Sequence, residues 1–189
     1  MEWETATKED TLGFIERVKS DRFGAVFESA FMRLQSFPLD FYADGRLFLL
    51  ENLKCEPPFT LDYIQAGDDM VYLDGSEQPF LFLNSKGHLR LSLSNAVDYL
   101  RSYLSYVVQP HVKIFLLQDP HLLPYQDSYF IDFNFDKNNY SDEDIKISRN
   151  DYDNGYIINA PFVFAGKIDP GIARIADNGE VTVQKEAGR

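Results

Sequence analysis

The chain has 189 residues, a single cysteine and a formal net charge of −12. One cysteine, Cys55, excludes an internal disulfide and a cysteine-built metal cluster. The acid excess argues against nucleic-acid backbones and anionic membranes, both of which are held through Lys and Arg.

The first residues, MEWETATKEDTLGF, are acidic and polar. They lack the basic start and apolar stretch of a signal peptide, and no apolar run approaches the ~20 residues of a bilayer span, so the expected location is the cytoplasm. Aromatic residues make up 15% of the chain, which favours sheet-rich structure. Thr7 followed by Asp10 is an approximate capping box, with Asp where Glu is usual. Leu12, Ile15 and Val18, then Phe23, Val26, Phe27, Ala30, Phe31 and Leu34, recur at threes and fours. This spacing predicts helix, as one element or as two with a break near 20–24, ended by Pro38.

Asp44-Gly45 signals a turn into a strand at 46–50. Residues 54–58, KCEPP, are a rigid connection with no helix potential. Short strands are expected at 59–64 and 70–73, with turns at Gly67-Asp68-Asp69 and Asp74-Gly75. The stretch 79–108 reads as the organising unit. Phe80 to Leu83 is a short apolar run suited to a buried strand. Leu89, Leu91 and Leu93 alternate with Arg90, Ser92 and Ser94, which predicts a hairpin closed at Gly87. Ser94 offers an N-cap to a helix whose seam is Val97, Leu100, Leu104 and Val107, flanked by Tyr99, Tyr103 and Tyr106.

A strand follows at 112–117, and a loop of two prolines at 118–128 is a candidate boundary within an otherwise single domain, 1–189. Residues 129–135 alternate as a strand would. Two Asn-Gly turns, at 153–155 and 177–179, sit between strand-like runs and predict hairpins. Asn159-Ala160-Pro161 is expected to interrupt the strand between them. The resulting fold class is α+β: an N-terminal helix, a predominantly antiparallel sheet, one central amphipathic helix and a C-terminal β meander.

Candidate chemistry is sparse. Asp132, Asn134, Asp136 and Asn138, with Glu143 twelfth, resemble the oxygen-ligand spacing of a calcium loop. Lys137 stands where that loop needs glycine, so the segment reads as a polar strand running into an acidic loop, and no metal or cofactor is expected. Residues 127–153 hold eight acidic side chains against three basic ones, and Asp132, Asp136, Asp142, Glu143 and Asp144 form the candidate docking face for a basic partner. Cys55 has Glu51 and Glu56 near it in sequence, which would raise its pKa rather than activate it. His88 is expected to be exposed beside a turn, and His111 and His121 each neighbour a proline. There is no nucleophile elbow, phosphate loop, dinucleotide fingerprint or zinc motif.

These features favour a non-enzymatic protein that binds another protein, without direct nucleic-acid or membrane contact. The alternative is an enzyme or small-ligand binder with a pocket between sheet and central helix, using Tyr99, Tyr103 and His111. The tyrosine stripe itself reads either as core or as an aromatic recognition surface.

Overall fold

Thr7 starts the first helix much as its sequence implies. Its hydroxyl accepts from the Asp10 N–H at 3.1 Å and donates to the Asp10 carboxylate at 2.6 Å. Glu9 and Asp10 place negative charge at the positive end of this helix, α1 (Lys8–Val18). The computed structural model describes residues 3–18, 31–54, 56–108, 114–116, 145–164 and 167–186. They fall into two compact units, Met1–Leu91 and Ser92–Arg189. The candidate boundary at 118–128 and the strand expected at 129–135 lie outside the described residues.

In the first unit, β1 (Glu4–Thr5), β2 (Met32–Pro38), β3 (Arg46–Asn52), β4 (Phe59–Ala66) and β5 (Asp69–Tyr72) form an antiparallel sheet in sequence order. Phe31 and Leu34 were expected to continue the N-terminal helix; instead Leu34 lies in β2, opposite Leu50 of β3. Burial in β2 alternates, with Leu34 and Ser36 inward and Arg33 exposed. A period of two won over the coincident spacing of three. Residues 19–30 lie outside the described residues. One face of the sheet packs on α1, where Phe14, Ile15 and Val18 join Leu34, Leu50, Leu61 and Tyr63 in one core cluster. Phe14 meets Tyr63 edge-on at 5.5 Å and Phe48 at 4.9 Å. Each such pair stabilises by about 0.5–1.5 kcal/mol beyond area burial.

The predicted hairpin over 80–94 is absent. In its place α2 (Gln78–Ser85) carries Pro79 in its first turn, where a missing N–H costs nothing. Pro79, Phe80 and Leu83 are buried and Phe82 is exposed, which is helical periodicity hidden in a short apolar run. Gly87, at φ 76°, turns the chain, and Leu89 makes only an isolated bridge to Tyr42. The Tyr42 hydroxyl donates to Asn84 Oδ1 at 3.0 Å, tying the loop after β2 to α2.

In the second unit, α3 (Ala96–Tyr106) is the expected amphipathic helix. Asn95 rather than Ser94 holds the N-cap position, and its side chain accepts from the Ser92 N–H. The sheet runs β10 (Val181–Lys185), β9 (Lys167–Ile175), β8 (Tyr156–Phe164), β6 (Ile114–Leu116), with β7 (Lys146–Arg149) also on β8. Both Asn-Gly hairpins form: Asn154 and Gly179 take positive φ, at 54° and 82°. Pro161 does not break β8. It faces Pro170 in β9, and on the other edge it falls between Asn159, the last β8 residue paired with β7, and Phe162, the first paired with β6. Among the described residues no partner strand there needs the N–H that proline lacks.

Candidate functional site

In the first unit an open groove of about 600 Å³ lies between α1 and the β1–β2 edge of the sheet. That is within the ~300–1,000 Å³ of ordinary ligand clefts. Asp10, Gly13, Phe14 and Arg17 recur at threes and fours, so one stripe of α1 forms a wall. Phe14, Leu34, Phe48 and Ala6 supply the apolar lining. Glu4, Glu9 and Asp10 set three carboxylates around it, and Arg17 is the one cation among its lining residues. Arg46 reaches this rim, donating to Glu4 and, at 3.0 Å, to Ser36 Oγ. Arg17 is held toward Gln65 Oε1 at 3.5 Å, and Gln65 in turn donates to the Gly67 carbonyl.

The opposite face of the same sheet carries an acidic pair, Glu51 buried and Asp62 half-buried. Alternation along β3 and β4 places Glu51 and Asp62 on the face away from α1. Glu51 is buried and accepts from Arg33 Nε at 2.5 Å across β2–β3. Asp62 lies diagonally from it, opposite Leu49, and its Oδ1 is buried with no hydrogen-bond donor among the described residues. Burial, reinforced by the Glu51 charge, pushes the Asp62 carboxyl up to about 7. Such a group holds or releases a proton near neutrality. Burial also raises the Tyr72 phenol, with the Asp62 and Asp74 charges adding to it.

His88 is not the exposed turn residue expected. Its Nε2 lies 2.7 Å from Asp69 Oδ2, and its side chain is only 19% exposed. Gly67 makes room for it, since a Cβ there would stand 3.0 Å from His88 Cε1.

Tyr99 and Tyr103 are buried on the inner face of α3. The Tyr99 hydroxyl donates to the Gly179 carbonyl at 2.7 Å, at the turn between β9 and β10. The rings of Tyr99 and Tyr103 stand 6.3 Å apart. His111 lies outside the described residues, as do Cys55, His121 and the docking candidates Asp132, Asp136, Asp142, Glu143 and Asp144. Among the described residues no group of His, Cys, Asp or Glu is arranged to hold a metal ion, and no helix is long and apolar enough to cross a membrane.

The groove and the Asp62 pair were both missed from sequence. The pair joins residues on different strands, so only the register brings them together. The groove did have one local signal, a glycine inside a helical pattern at position 13. No family model, curated protein or solved structure matches this chain.

Proposed function

We propose that this protein is a non-enzymatic binding module that recognises another protein, acts in the cytoplasm and takes a basic partner. The observation that carries the reading is the open, acid-rimmed groove of the first unit, with Glu4, Glu9 and Asp10 above an apolar lining. An apolar centre with a charged rim is the ordinary anatomy of a protein-binding surface. The net charge of −12 supports a basic partner, because charge of one sign steers its opposite toward the surface.

A tagged pull-down from native lysate, at about 0.05 M and about 0.5 M salt, tests this through screening of exposed charges. A basic protein retained at low salt, released at high salt and lost with the Glu9→Lys variant is the expected result. Glu9 is the residue to change because Asp10 also serves the helix cap and Glu4 also holds Arg46. Retention that ignores both salt and Glu9→Lys would remove the groove from the account.

A further inference from the structure

The described glycines have intramolecular reasons to be glycine, with one exception. Gly67, Gly75, Gly87 and Gly179 take positive φ. At Gly45, Gly155 and Gly171 a Cβ would come within 2.5, 2.2 and 2.7 Å of neighbouring atoms. Gly13 has neither reason: its φ is not in the left-handed region, and a Cβ there would meet nothing within 4 Å among the described residues. It nonetheless occupies the interior of α1, where glycine weakens a helix relative to alanine. It also lines the groove, between Asp10 and Arg17 on the same stripe. A helix position that gives up stability, and where an added Cβ would touch none of the described residues, suits an external group that must come close to the helix backbone.

We infer that the groove receives an extended, basic segment of a partner protein, whose main chain lies against the α1 backbone at Gly13. This rests on the groove being the docking surface proposed above. The three carboxylates of the rim face the segment's Lys or Arg side chains, as Arg46 already faces Glu4. Phe48 and Ala6, each part-exposed, offer its apolar side chains a surface. The open cleft along the helix suits a chain better than a compact molecule.

The test uses the full chain and short synthetic peptides of basic, neutral and acidic composition, each with apolar anchors, titrated by fluorescence anisotropy. Basic peptides are expected to bind. Glu9→Lys and Gly13→Leu should each weaken that binding about tenfold or more, the loss typical of a central contact. Gly13→Ala should weaken it less while raising the melting temperature, a combination that a merely structural role does not produce. Melting curves of all three variants confirm that they fold. If Glu9→Lys loses binding and Gly13→Leu does not, the close approach at Gly13 is wrong while the acidic docking surface stands. If no peptide binds, or all bind alike, both fall. A dimer of the wild-type chain that Gly13→Leu dissociates would make a second copy the occupant and overturn the partner-segment assignment.

Discussion

α1 and α3 are amphipathic helices of the same length, eleven residues, and they are used differently. α3 buries Ala96, Tyr99, Leu100, Tyr103 and Leu104, and the one polar atom of Tyr99 is satisfied at the Gly179 carbonyl. α1 buries Thr11, Phe14, Ile15 and Val18 but turns Asp10, Gly13 and Arg17 to an open groove. Hydrophobic spacing alone reads the two as equivalent. What separates them is whether each small or polar residue on the face has a reason inside its own unit. In α3 the tyrosines do, whereas in α1 the glycine finds none among the described residues.

The comparison predicts unequal mutational costs. Tyr99→Ala removes a fully buried ring and should destabilise by about 3–5 kcal/mol. Tyr99→Phe keeps the ring but orphans the Gly179 carbonyl, for about 1–3 kcal/mol. Urea midpoints would measure both, and a Tyr99→Ala cost under about 1 kcal/mol would mean α3 is not the finished element it looks, given the usual cost of a buried aromatic truncation.

The sheet face away from α1 gives a pH-dependent case. The Asp62 pKa is raised on folding, so the folded state favours the protonated carboxyl. Stability is therefore unpenalised below the ordinary value of 3.8, falls as pH rises from there to about 7, and is flat above it. A shift of this size corresponds to up to ~4 kcal/mol. Asp62→Asn, which carries no charge at any of these pH values, should abolish the decline. Identical pH profiles for the two proteins would show that the carboxyl is not desolvated as the geometry has it.

Smaller effects are expected on α1. Thr7→Ala deletes the cap and should cost about 1 kcal/mol. Gly13→Ala should have the opposite sign, a gain of about 0.5–1 kcal/mol, because the added methyl has open space and the helix interior prefers it. A destabilising Gly13→Ala would indicate an intramolecular reason for the glycine and would undo the contrast with α3.

Legibility followed how local each signal was. The two Asn-Gly hairpins, α3 and strands β3 to β5 were readable because turn chemistry and periodicity act within a few residues. α2 was misread because Phe80 to Leu83 is too short a run for periodicity to choose between strand and helix, and only Pro79 in its first turn hinted at the answer. β2 was misread because Phe31 and Leu34 fit a helical spacing by coincidence. Pro161 reads as a break in the sequence because the seam that accommodates it is made by two strands distant from it along the chain. The Asp62–Glu51 pair depends on the β3–β4 register, which single-strand reasoning does not deliver. Gly13 was visible all along, but its meaning depends on what a side chain there would fail to touch.

The seam along β8 concentrates the register of the second sheet in one strand. On one edge β8 pairs with β9 along its whole length, and on the other it carries β7 from Tyr156 to Asn159 and β6 from Phe162 to Phe164. A slip of one residue in β8 would therefore misalign three neighbours at once and turn its buried side chains Ile158, Ala160 and Phe162 to the opposite face. The alignment of β8 is thus specified from both of its edges, and strands far apart in sequence take their register from it.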